Sequence, residues 1–145
     1  MNTVPDGFRH HIAMTVRFAD LDAMGHVNNA RYLTYIEQGR ILYAQEVYSL
    51  KFGDWAEMGM ILAKITVDFR LPLSFGDEIT VFTRCSRLGH KSFDLSSVIL
   101  TAENAVAATG EATMVGFDYH TNQTVAVPDT WRQQIQAYEP ALDAG

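Results

Sequence analysis

Residues 30–50, ARYLTYIEQGRILYAQEVYSL, decide the architecture. Leu33, Ile36, Tyr43, Ala44, Val47 and Leu50 recur at threes and fours, which marks one buried stripe on an α-helix. At 1.5 Å per residue the segment is a rod of roughly 30 Å, the only long helix the chain supplies. Gly39 lies inside it and costs about 1 kcal/mol in helix propensity relative to alanine. A close approach of the helix backbone to a neighbouring layer would explain it; a tolerated surface glycine is the alternative. Just upstream, LDAMGHVNN has no useful period and ends in Asn28 and Asn29, whose side chains accept the free N–H groups of a helix start.

Working outward, Met14, Val16 and Phe18 fall on one side of a short half-buried strand. Beyond the helix, Ile61, Ala63, Ile65, Val67 and Phe69 face one way, and Lys64, Thr66, Asp68 and Arg70 the other. Gly76-Asp77 then leads into a strand through Ile79, Val81 and Thr83, Leu88-Gly89-His90 turns into one through Phe93 and Ile99, and Glu103-Asn104 into one from Val106 to about Tyr119. From Pro128 the chain reads as a short helix capped by Asp129 or Thr130 and anchored by Trp131 and Ile135, with a frayed ALDAG end. Five strands and one striped helix make an α+β unit in which the helix covers one face of a sheet. Strands with apolar residues on both sides, such as Phe82 opposite Val81, favour burial of the remainder against a partner chain.

The length of 145 residues fits a single domain spanning 1–145. With 48% hydrophobic residues the chain is too apolar for disorder. A net charge of -6 and the lack of a basic run argue against nucleic acid as a partner. The single cysteine, Cys85, and a start without a long apolar stretch suggest a reducing, cytoplasmic setting, and no window approaches the roughly 20 apolar residues of a membrane span.

Asp20, Asp22, His26, Asn28 and Asn29 form the densest collection of reactive types and are the candidate site; capping duties for the Asp and Asn side chains, and a carbonyl contact for His26, are the plainer reading. The adjacent His10 and His11 have no further ligands at metal spacing, so no metal and no cofactor is expected. No serine sits in a nucleophile elbow, Cys85 has no neighbouring base, and no phosphate loop exists.

The run FADLDAMGHVNNARY (18–32), continuing to Tyr35-Ile36-Glu37 and Arg40, resembles the signature of hotdog-fold acyl-CoA thioesterases of the 4-hydroxybenzoyl-CoA thioesterase type. Phe69-Arg70, Pro72, Gly76-Asp77 and Arg87 to Phe93 extend the likeness, so that it spans about residues 13–120. The resemblance implies a five-stranded antiparallel sheet wrapped around one long central helix. It also implies a homodimer whose sheets join, often doubled to a tetramer, with active sites at the dimer interface. On it, Asp22 matches the catalytic carboxylate and the backbone N–H of Asn29 the group that polarises the thioester carbonyl, with Val27 and Asn28 forming the surrounding turn.

That chemistry is physically reasonable, because a thiolate leaves without strong acid catalysis, so one carboxylate and one oriented dipole suffice. Asp22 either activates water as general base or attacks the carbonyl to give a mixed anhydride. Asp20, two residues earlier, reads as a solvated partner that orders the turn. His26 either bonds the site's water or braces the loop; Tyr32 is an acyl-pocket wall, Glu37 an interface or supporting group, and Arg40 a partner for a carboxylate. Tyr32, Tyr35, Tyr43, Phe52 and Trp55 either shape an acyl pocket or are ordinary core. Arg84, Arg87, His90 and Lys91 are the only basic concentration available to the phosphates of coenzyme A, or to an acidic acyl carrier protein. Acyl-CoA hydrolysis leads; a non-catalytic acyl-CoA-binding module and an enoyl-CoA hydratase or dehydratase are the alternatives.

Overall fold

A computed structural model describes residues 4–51, 59–139 and 142–144. In chain order the elements are β1 (His10–Thr15), α1 (Asn29–Tyr48), β2 (Met60–Phe69), β3 (Glu78–Leu88), β4 (Ser92–Thr101), β5 (Val106–Asp118), β6 (Gln123–Thr124), α2 (Asp129–Tyr138) and β7 (Asp143–Ala144). The five main strands pair in the order β1-β3-β4-β5-β2, every pairing antiparallel. Helix α1 lies across this sheet, which is the hotdog arrangement the resemblance implies.

Helix α1 forms where the apolar stripe required it. Asn28 caps it, its side chain accepting the Ala30 N–H at 2.9 Å, and Ser49 ends it in the left-handed conformation at φ 58°. Gly39 is buried against β3: a Cβ there would stand 2.9 Å from both Val81 Cγ1 and Thr83 Oγ1. The close approach therefore explains the glycine. Ile36, Tyr43, Ala44 and Val47 pack onto the sheet among Ile79, Val81, Cys85, Leu95 and Ile99.

Several expectations need correction. The alternation of β2 breaks at a bulge between Leu62 and Lys64, so Met60 is buried and Ile61 only partly so. Phe18 is not a strand residue; it opens a 3-10 turn, Phe18–Asp20, and is exposed. Phe82 is covered by the chain's own Phe8 and His11 rings rather than by a second chain. Helix α2 is anchored as expected by buried Ile135 and by Trp131 against Tyr48, but neither Asp129 nor Thr130 caps it; its N-cap is Pro128, without a side-chain bond. Asp143–Ala144 does not fray but pairs in parallel with Arg87 and Leu88 of β3. Phe52 and Trp55 lie outside the described residues.

Candidate active site

Residues 17–29 are built around a carboxylate that the sequence reading placed in solvent. Asp20 is 1% exposed. It accepts the Arg17 N–H at 3.1 Å, the Arg17 guanidinium at 2.9 Å and the Tyr35 hydroxyl at 2.7 Å. Burial alone would raise its pKa, but the hydrogen bonds from Arg17 and Tyr35 outweigh burial and hold it below the usual 3.8. The Tyr35 hydroxyl is pushed well above its ordinary range by burial and by this carboxylate. Asp20 does order the turn, as a buried ionised hub that ties the loop to α1.

From that hub the loop is set residue by residue. The Asp20 carbonyl accepts the Asn28 N–H, Asp22 N–H donates to the His26 carbonyl, and Val27 N–H donates to the Leu73 carbonyl. Leu21 and Val27 thus bridge, and residues 22–25 turn back with Gly25 at φ 83°, a conformation an L side chain rarely adopts. Within the turn the Asp22 carboxylate accepts only the Met24 N–H, at 2.9 Å. Asp22 and Asp20 therefore have opposite fates: one is spent on structure and the other is left exposed.

Asp22, His26, Val27, Asn29 and Tyr32 line one cavity of about 400 Å³, closed on its other side by Phe69, Arg70, Leu71 and Pro72. The Asn28 side chain and carbonyl take the N–H groups of Ala30 and Arg31, and the Asn29 N–H has no acceptor among the described residues. Asn29, the first residue of α1 at the positive end of the helix dipole, thus shares a cavity with an exposed carboxylate. Tyr32 is buried, its hydroxyl donating to the Leu71 carbonyl at 2.8 Å and its ring edge-on to Phe69, so it forms a fixed wall. Asn28 stands beside the cavity as the cap and does not line it.

Other candidates lie elsewhere. Glu37 is exposed and faces a separate crevice with Arg40. Arg40, expected to hold a carboxylate, has no ion pair among the described residues. Arg84, Arg87, His90 and Lys91 do not reach the Asp22 cavity. The cavity abuts Leu73, before the start of β3, whereas Arg87 to Lys91 lie at its far end. The 11 residues of β3, Glu78–Leu88, make a strand roughly 35 Å long. Arg87 is also committed to Asp94 at 2.8 Å, and Arg84 lies over the Phe8 ring. Tyr43 is core, its hydroxyl on Glu139. Cys85 is buried and its thiol is pushed up to about 12 by burial, so it is no nucleophile.

The sequence reading assigned no part in the site to the cavity's far wall. The likeness already took in Phe69-Arg70 and Pro72, but only the fold brings Phe69, Arg70, Leu71 and Pro72 against residues 22–32. Tyr35 was noted as part of the family motif, but nothing local revealed that its hydroxyl meets Asp20. Among the described residues no helix is long and apolar enough to cross a membrane, and no group of three or more His, Cys, Asp or Glu side chains is arranged to hold a metal ion.

The comparisons with known proteins bear on the family and the fold. The chain is 30% identical over 122 residues to the long-chain acyl-CoA thioesterase FadM of Escherichia coli K12, covering 83% of this chain and 92% of that protein. It is 27% identical over 134 residues to the 1,4-dihydroxy-2-naphthoyl-CoA hydrolase of Synechococcus sp. CC9605, covering 87% and 89%. Among solved structures, a thioesterase of Thermus thermophilus complexed with coenzyme A and zinc superposes with a TM-score of 0.82 at 33% identity, covering 94% of this chain and 98% of that one. The model of the thioesterase-like superfamily matches residues 16–135, so the chain, a thioester hydrolase by that membership, belongs to this family.

Proposed function

We propose that the protein hydrolyses acyl-CoA thioesters to a free acid and coenzyme A in the Asp22 cavity. The observation that carries the reading is that Asn29, at the start of α1 and with no acceptor for its N–H among the described residues, lines the same cavity as the one exposed carboxylate of the loop. With the thioester carbonyl oxygen directed at that N–H, negative charge developing on the oxygen is met by the amide and the helix dipole; losing one such donor costs roughly 3–4 kcal/mol in hydrolases built this way. Asp22 takes a proton from a water whose oxygen bonds to the carbonyl carbon, the tetrahedral intermediate collapses, the C–S bond breaks, and the thiolate leaves and is protonated. In the alternative route an Asp22 oxygen forms the bond, the thiolate departs, and water opens the mixed anhydride. His26, exposed on the cavity, is within the loop that would hold the water, and Tyr32 walls the acyl group.

The cation at the cavity is Arg70. Within one chain it, rather than Arg84, Arg87, His90 or Lys91, is the group placed to face a phosphate. A cavity of about 400 Å³ falls within the range of small-molecule sites and suits a small to medium acyl group. Phe69, Leu71 and Met24 leave an exposed apolar rim around it, and the outer edge of β2 has no strand partner among the described residues. We read both as the side on which a second copy completes the site in a homodimer, with a dimer of dimers as the larger assembly.

The test is thiol release from a panel of acyl-CoA and acyl-carrier-protein thioesters. Asp22→Asn is expected to keep the fold and the affinity for substrate while losing at least about 100-fold in kcat. Equal turnover in the two proteins, or water addition to an enoyl-CoA without thiol release, overturns the reading.

A further inference from the structure

Arg40 is 7% exposed, and among the described residues its Nη1 has no hydrogen-bond partner and no ion pair includes it. It lines two crevices, of about 280 Å³ and 150 Å³, that share Glu37 and Leu62 and follow the seam between α1 and β2. The larger is walled mostly by apolar groups, among them Ile41, Met60, Leu95 and Met114. Burial lowers the Arg40 pKa and the Glu37 charge raises it, yet a guanidinium does not lose its proton in proteins. A buried cation without a counter-charge is strongly destabilising. Such a group calls for completion by something outside the single chain.

Glu37 is exposed, three residues earlier on the same helix, close enough to act on Arg40 electrostatically but not in contact with it. The flank of α1 next to the open edge of β2 thus carries one charge of each sign. Such a pattern is self-complementary: a two-fold axis passing beside α1 between the two residues brings each carboxylate to the other chain's guanidinium. We infer that a second copy of the chain closes this seam through reciprocal Glu37–Arg40 ion pairs. The inference rests on the dimer in the functional reading above and names the residues that hold it. The acidic end of an acyl substrate is the competing counter-charge, but it would have to lie beside the Glu37 carboxylate, a charge of its own sign.

Charge reversal in trans separates these cases. In Glu37→Arg both positions are positive, and in Arg40→Glu both are negative, so each variant repels itself within the chain and across its own homodimer. Only a mixed dimer of the two sets opposite charges against each other. By analytical ultracentrifugation each variant alone is expected to dissociate at least tenfold more readily than wild type, and a co-refolded equimolar mixture to recover the dimer. A mixture no tighter than its components overturns the pairing, as does either variant dimerising like wild type. Monomeric wild type would instead defeat the dimer reading itself. Should circular dichroism show a reversal variant unfolded, Arg40→Met and Glu37→Gln replace them. Each then weakens the dimer, with the double variant no worse than the single ones; fully additive losses count against the pair. Unchanged masses with a raised KM for thioesters bearing a second carboxylate would assign Arg40 to substrate and overturn the inference.

Discussion

Two aspartates two residues apart differ in duty because only one is enclosed. Asp20 spends both oxygens on Arg17 and Tyr35, whereas Asp22 keeps all but one backbone contact free. Polar spacing on its own did not separate them, and the assignment of catalysis to Asp22 came from the family likeness of its motif. The buried position of Asp20 has a pH consequence. Its folded pKa lies below the ordinary 3.8, so its stabilisation is present above that value and is lost as pH falls through the lower folded one. Tyr35→Phe removes one donor to the ionised form and raises the folded pKa. We expect a loss of about 1.5–3 kcal/mol near neutral pH and an acid-unfolding midpoint displaced upward, followed by circular dichroism. An acid midpoint identical to wild type would show that the hydroxyl does not hold the carboxylate.

Helix α1 serves as scaffold and dipole together, and the two duties meet at its first turn. Its cap, stripe and approximate ends were readable because they depend on local period and on side chains adjacent in sequence: the segment expected over 30–50 forms over Asn29–Tyr48. Gly39 was readable as a question, and β3 answers it. Gly39→Val places a branched side chain where Val81 and Thr83 already stand at 2.9 Å. Overpacking of this kind costs typically about 1–3 kcal/mol, and thermal unfolding should fall by several degrees. Because the helix would tilt off the sheet and move its N-terminal amide, kcat should fall more than KM rises. A Tm equal to wild type would mean the contact is loose. The β2 bulge was not readable, since a ladder slip depends on the partner strand β5.

At the scale of the molecule, the site is a junction of two chain segments, 22–32 and 69–72, whose rim is apolar and open. If a second copy completes it, specific activity should decline on dilution below the dimer dissociation constant and return on concentration; a specific activity flat through the dissociation range would show that one chain suffices. By itself the sequence determined the α+β class, the long helix and its cap, the strand succession, and, through a family motif, the loop that carries Asp22. These are properties of short windows, where period, capping chemistry and motif order act between near neighbours. The tertiary structure decided that Asp20 is interior, that Arg70 faces the cavity, that Arg87 to Lys91 stand at the opposite end of β3, and that Arg40 is buried without an ion pair among the described residues. Each of those depends on which distant segments the sheet order brings together, and burial and charge are properties of that enclosure rather than of the residue type.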